Sequence, residues 1–260
     1  MKKIVLNVLT GLLMMAAFTT CGGSGSSSGR GSFKIKMTTE RDGDFRFILS
    51  GSGVATVDWG DGSEKVTLTI DRRVSFEHTY PSATIRTITV NGDNITELYC
   101  EYLTSLDVSK NTELTRLNVR GSLKILDVGK NKALTLLECY GHELTILDVS
   151  NNTELTELYC GLNKLTSLDV SKNTALTVLK CENNKLTSLD VNKNTVLTRL
   201  EVNDNQFTAA ALNALFGSLH NNTIQGETKI IYINRNPGEE TCDQSIAKSK
   251  GWSVFSFYMR

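Results

Sequence analysis

Two prolines, three histidines and six cysteines are all that 260 residues contain. Six cysteines are too few for a disulfide scaffold at this length. Neither sign of charge is in excess, because 28 basic residues face 28 acidic ones. Removing the first 20 residues takes away Lys2 and Lys3 and leaves a slight acidic surplus. A nucleic-acid binder or a polybasic membrane binder is not built that way. Past the amino terminus, no apolar run approaches the ~20 residues that span a bilayer. HExxH, P-loop and CxxC patterns are absent. His78, His142 and His220 fall in three separate contexts, so no nucleophile or acid–base group has partners to orient it. The expectation is a protein that is not an enzyme, with no catalytic residue, metal or cofactor. Hydrophobic residues make up 40% of the chain and charged ones 22%, which excludes disorder. The length suits one or two domains with real cores.

Residues 1–20 begin MKKIVLNVLTGLLMMAAF, two lysines before a largely apolar run, which is the layout of a secretory signal. FTTC follows, with Cys21 leading into GGSGSSSGRGS. This resembles a bacterial lipoprotein signal, although Phe18 stands where Leu is usual and Thr20 where Gly or Ala is usual. The resemblance implies a lipidated Cys21, whose acyl chains would anchor the protein at ~0.8 kcal/mol per buried methylene. Residues 21–31 would then act as a flexible tether.

From 32 to 91 the chain is a series of short alternating or β-branched runs: FKIKM, FRFIL, VATVDW, KVTLTI, RVSFEH and TIRTITV. Turn-forming RDGD, GSG, GDGS and NGDN separate them, which predicts an antiparallel sandwich. Val57–Ser63 (VDWGDGS) and His78–Tyr80 (HTY) resemble the signature of PKD-type domains, an immunoglobulin-like family. Gly60-Asp61-Gly62 would form a tight turn, Trp59 would pack across the sandwich, and His78 would hydrogen-bond within the motif. A calcium site on Asp58 and Asp61 is conceivable, but two carboxylates in a turn are more simply turn chemistry.

Residues 92–206 repeat. Leu134–Glu154, Leu155–Ala175 and Leu176–Val196 are successive 21-residue units. Ile95–Glu113 and Leu114–Ala133 are shorter copies, and a partial sixth opens at Leu197. Each unit carries LTxLxC and then LTSLDV, and resembles the short bacterial leucine-rich repeats, in which each coil has two strand segments. One coil cannot bury its leucines alone, so coils must stack as parallel ladders ~4.8 Å apart. Asn111, Asn131, Asn152, Asn173 and Asn194 form one column, expected inside and structural. Asn163, Asn184 and Asn205 form a second, in which His142 stands in for asparagine. Cys100, Cys139, Cys160 and Cys181 exchange with Val119 and Val202, which favours a small core hydrophobe over a metal site or a disulfide. Asp107, Asp127, Asp148, Asp169 and Asp190 form an outward column, either a calcium ladder or, better, a hydrogen-bonded one, with lysines three residues on near enough to offset its charge.

The copies can be compared with one another. Outward residues of the second segment barely change, whereas those of the first vary from coil to coil. Tyr99, Arg116, Asn118, Glu138, Tyr159, Lys180, Arg199 and Glu201 are the candidate ligand-binding face. Relaxed drift is the competing explanation, but tyrosine and arginine are favoured anchors in interfaces. Tyr140 and Leu162, in adjoining turns, would extend the patch. Residues 207–260 break the pattern and are expected to cap the stack, with a helix opening at Thr208. The fold class expected is mainly β: a small PKD/Ig-like sandwich, a leucine-rich-repeat solenoid and an α/β carboxy-terminal cap. The function expected is binding of a protein or glycan ligand at the bacterial cell envelope, on the outer-membrane surface, with the membrane touched only through the lipid. A structural envelope component without an exogenous ligand is the alternative.

Overall fold

The computed structural model describes residues 33–256, so the signal, Cys21 and the tether lie outside the described residues. The first strands are β1 (Phe33–Thr39), β2 (Gly43–Gly51), β3 (Gly53–Asp58), β4 (Val66–Ile70), β5 (Val74–Tyr80) and β6 (Arg86–Gly92). Alternation drives them: in β2, Phe45, Phe47 and Leu49 are fully buried while Asp44 and Arg46 face solvent. The sheets they build do not stop at residue 91. The repeats begin with β7 (Ile95–Leu103) and β8 (Ser105–Asp107), and each joins the sandwich. β8 pairs antiparallel with β1, closing a five-stranded sheet of order β4-β3-β6-β1-β8.

β7 pairs antiparallel with β2 on one side and parallel with β9 (Arg116–Gly121) on the other. Through it a single ten-stranded sheet runs from sandwich to repeats. It continues through β10 (Leu136–Glu138), β11 (Glu157–Tyr159), β12 (Val178–Lys180) and β13 (Arg199–Glu201). After helix α1 (Ala209–Ser218) come β14 (Lys229–Tyr232), helix α2 (Ser245–Ser249) and β15 (Trp252–Phe255). The strand order is β15-β14-β13-β12-β11-β10-β9-β7-β2-β5. Residues 33–256 thus belong to one unit with one continuous core.

The core changes character along the chain. Between the two sheets it is aromatic. Trp59 packs edge-on against Phe47 at 5.7 Å, and Phe47 stacks on Phe76 at 5.2 Å. The Tyr80 hydroxyl donates to the Trp59 carbonyl at 2.8 Å. Gly60 turns with φ 75°, and a Cβ there would lie 2.4 Å from the Thr87 carbonyl oxygen, so only glycine fits. Asp58 accepts from the Gly60 N–H and pairs with Lys65 at 3.1 Å, while Asp61 accepts from the Ser63 N–H and meets His78 at 2.7 Å. Both carboxylates are spent on the turn.

Along the coils the core is leucine, valine and cysteine in register. Cys100, Cys139, Cys160 and Cys181 are fully buried free thiols, interchangeable with Val119 and Val202. Burial pushes the Cys139 thiol up to about 12, so it remains protonated and inert. Asparagines stitch each coil to the one before. Asn152 Nδ2 donates to the Val128 carbonyl at 3.0 Å and to that of Asn131 at 2.8 Å, and Asn131, Asn173 and Asn194 repeat the pattern. In the second column, Asn163 Oδ1 accepts from Leu144 N–H at 3.1 Å and its Nδ2 donates to Cys139 O at 2.8 Å. His142 does the same with a ring: Nδ1 accepts from Leu123 N–H at 3.2 Å, which makes Nε2 the donor to Val119 O at 3.0 Å. Asn236 in the final segment continues this column, accepting from Phe207 N–H at 3.1 Å and donating to Val202 O at 2.9 Å.

One expectation is corrected. The LTSLDV segments form a strand only at β8; in the following coils they are not strands. One backbone bond per coil crosses there, as from Lys164 N–H to Leu144 O, and a ladder needs successive bonds. The aspartate column is hydrogen-bonded, as expected, and its partner is local backbone. Each carboxylate accepts from the N–H two residues on, at 2.8–3.0 Å, closing its own turn. No lysine lies within 4.0 Å of these aspartates among the described residues.

Candidate functional site

Parallel stacking converts sequence period into columns. In the first, Glu97, Arg116, Leu136, Glu157, Val178 and Arg199 lie side by side. In the second run Tyr99, Asn118, Glu138, Tyr159, Lys180 and Glu201. All eight candidate residues therefore fall on one face of one sheet. Between them the central residue of each strand, such as Leu117, Leu137 and Leu158, points inward and is fully buried. The face is set by the leucines behind it.

The side chains on this face are mutually engaged. The Tyr99 hydroxyl donates to Glu101 at 2.5 Å, and that bond raises the tyrosine's pKa. Glu138 accepts from Asn118 Nδ2 at 2.5 Å and from Arg120 at 3.1 Å. Glu97 accepts from the Ser50 hydroxyl at 3.0 Å, with Arg116 at 4.0 Å. A second group gathers at the far end. Glu201 takes Arg199 at 2.6 Å and Lys180 at 3.1 Å, while Lys180 also lies 5.4 Å from the Tyr159 ring centre. Burial, and then a hydrogen bond to Glu157, pushes the Tyr159 phenol well up.

Sequence reading missed both ends of this face. Tyr232 and Phe255 continue the second column beyond Glu201, stacked at 5.1 Å, with Arg199 5.2 Å above Tyr232. The outward phase of KIIYI and WSVF carried that signal, but those strands have no repeat register to align them. At the other end β2 brings Ile48 beside Tyr99 and places Ser50 opposite Glu97. There, Ile48, Ser50, Arg73, Glu97, Tyr99, Arg116, Asn118, Leu136 and Glu138, floored by Leu98, line a groove of about 330 Å³. No local pattern announces the β2–β7 pairing that makes it. Four of the eight candidates, Tyr99, Arg116, Asn118 and Glu138, are in the groove, while Tyr159, Lys180, Arg199 and Glu201 are on the wall beyond.

Of the neighbouring turn residues, Leu162 is 43% exposed and adopts φ 51°, a left-handed backbone that disfavours leucine. Among the described residues no group of three or more His, Cys, Asp or Glu is placed to hold a metal ion. Nor is any described helix long and apolar enough to cross a membrane.

Comparison with known proteins places the repeats. No curated protein matches the chain. The Leucine Rich repeat family pattern matches residues 193–216. Similar solved structures include the functional domain of InlJ from Listeria monocytogenes, described as including a cysteine ladder, at 33% identity and TM-score 0.46. An internalin, InlF, from the same organism and a leucine-rich-repeat protein of Leptospira interrogans follow, both at 22% identity, with TM-scores of 0.47 and 0.45. Each covers 62% of this chain, and this chain spans 39%, 46% and 44% of them in turn. The chain is thus a mainly β solenoid of stacked coils, carrying a match to the leucine-rich repeat family over one of them.

Proposed function

We propose that this chain is a non-enzymatic binding protein that holds a protein or glycan ligand against the outward face of its ten-stranded sheet. The carrying observation is the contrast between two surfaces of the same coils. Where stacking alone decides, the aspartates repeat and close their own turns. On the sheet face, tyrosine, arginine, glutamate, lysine and leucine alternate without a repeat, and the mix continues onto strands outside the repeats. Interfaces favour such mixtures of aromatic and arginine groups. In this reading Cys21 carries lipid, residues 21–31 tether, the PKD-like sandwich at 32–91 sets the first coil, residues 207–260 cap the last, and the protein stands on the bacterial envelope. The internalin likeness agrees with a surface role of this kind.

The test is binding of the full chain to printed peptide and glycan arrays. Tyr99→Ala, Arg116→Ala and Tyr159→Ala combined should remove most bound signal and leave the melting temperature within about 2 °C, because all three side chains are partly exposed. Unchanged array binding by the triple variant refutes this surface. One observation supports a structural envelope role instead. Ile125 and Ile146, on successive coils away from the sheet face, are 79% and 77% exposed. If Ile125→Ser with Ile146→Ser breaks association with envelope proteins while array binding survives, that role takes precedence.

A further inference from the structure

We propose that the groove between sandwich and repeats takes an extended acidic protein segment, a carboxylate on Arg73 and Arg116 with an apolar neighbour on Ile48 and Leu136. The inference rests on reading the ten-stranded face as the binding surface, and it names the chemistry that one end of that face selects.

The argument is one of charge already committed against charge still open. Both acids in the groove are occupied: Glu97 by the Ser50 hydroxyl, and Glu138 by Asn118 and Arg120. The arginines differ. Arg73, exposed just before β5, has no carboxylate within 4.0 Å among the described residues. Arg116 reaches Glu97 only at 4.0 Å with its side chain 54% exposed, a looser contact than the 3.1 Å between Arg120 and Glu138. Guanidinium groups bind carboxylates through paired, charge-assisted hydrogen bonds, so the open arginines favour an acid and disfavour a base. Asn118 supplies a second requirement. Its Oδ1 is buried without a hydrogen-bond partner while its Nδ2 is held by Glu138. A buried, unpaired acceptor is costly, and a main-chain N–H of a bound segment satisfies it. Apolar Ile48 and Leu136 complete the lining. A carbohydrate would seek aromatic platforms, and Tyr99 is the one aromatic side chain lining the groove. At about 330 Å³ the groove lies near the lower end of ligand pockets, sized for a few residues of extended chain.

The test uses the full chain on an array of decapeptides that differ only in a central pair, Glu-Leu, Gln-Leu, Lys-Leu or Glu-Ser, beside oligouronates. Anisotropy titration of the same labelled peptides follows. Glu-Leu should bind roughly tenfold more tightly than Gln-Leu or Lys-Leu, the scale of one charge-assisted contact. Arg73→Gln with Arg116→Gln should erase that preference, Arg199→Gln should preserve it, and circular dichroism melts confirm folding of all. Equal binding of Lys-Leu, a preference that survives loss of both arginines, or no Glu-Leu signal at about 1 mM overturns the inference. So does arginine-dependent capture of oligouronates without peptides. If the triple variant at Tyr99, Arg116 and Tyr159 loses array signal but acidic peptides are not preferred, the face stands and only the acidic segment is wrong. If the triple variant binds like the native chain, the face itself falls.

Discussion

Replacing His142 separates a ladder role from every chemical role a buried histidine can have. The ring makes two hydrogen bonds inside the stack, accepting from Leu123 N–H and donating to Val119 O. His142→Ala strands both backbone groups, at about 1–3 kcal/mol each, and empties the ring's volume. The expected loss is about 3–5 kcal/mol, or roughly 8–16 °C in melting temperature for a chain of this size. His142→Asn restores the pair of bonds made by Asn163 one coil later, so it should fall within about 1 kcal/mol of the native chain. Acid adds a second readout. Burial lowers the His142 pKa below the usual 6.5, so as pH falls through 6.5 the unfolded chain takes the proton first and folding weakens. His142→Asn removes that component, and the stability slope between pH 7 and 5 should flatten. It should not vanish, because burial also lowers the pKa of His220. Urea midpoints at several pH values measure both effects. A His142→Asn variant as unstable as His142→Ala, or with an unchanged acid slope, refutes the ladder assignment.

Asn152→Ala should cost about 2–4 kcal/mol, by orphaning the Val128 and Asn131 carbonyls. Asn111→Ala should cost less than half of that, since Asn111 Nδ2 has no partner at the head of the column; equal urea midpoints contradict the directional ladder. In the sandwich, burial pushes the Asp61 carboxyl up, but hydrogen bonds from Ser63 and His78 outweigh it and hold it well below the carboxylate range. Its stabilisation is therefore present above about pH 4 and lost as pH falls below that, and Asp61→Asn should lower stability at pH 7 while flattening the acid limb of a urea-midpoint titration. Leu162→Gly should raise the melting temperature by about 1–4 °C through relief of a left-handed backbone, net of glycine's greater unfolded entropy. A lower melting temperature shows that the leucine's contacts outweigh the strain.

What was legible was whatever the chain says more than once. The inward leucines, the cysteine–valine exchange and the place of His142 among asparagines follow from aligning the copies, because stacking demands the same contact in each coil. Partners of single strands were not legible. Nothing local in FRFIL or ITELYC states that β2 and β7 pair, yet that pairing places Ile48 beside Tyr99 and opens the groove. The aspartate column was legible as hydrogen-bonded, but not its partner: the N–H two residues on closes each turn, and Lys110 and Lys172 act on Asp107 and Asp169 only as more distant charges. Tyr232 and Phe255 escaped because their strands share the sheet's register but not the repeat's spelling.

The asparagine column has a grammar of its own. Every coil offers the next the same carbonyls and asks the same of the one before, so the middle of the stack is indifferent to how many coils it holds. Residues 155–175 form one complete coil, with an incoming edge like that of the coil that follows it. Losing or duplicating such a block would shorten or lengthen the wall by one strand width of ~4.8 Å, leaving the aromatic start and the helical finish untouched. Reach becomes an inheritable variable that recombination between near-identical segments can adjust in whole steps.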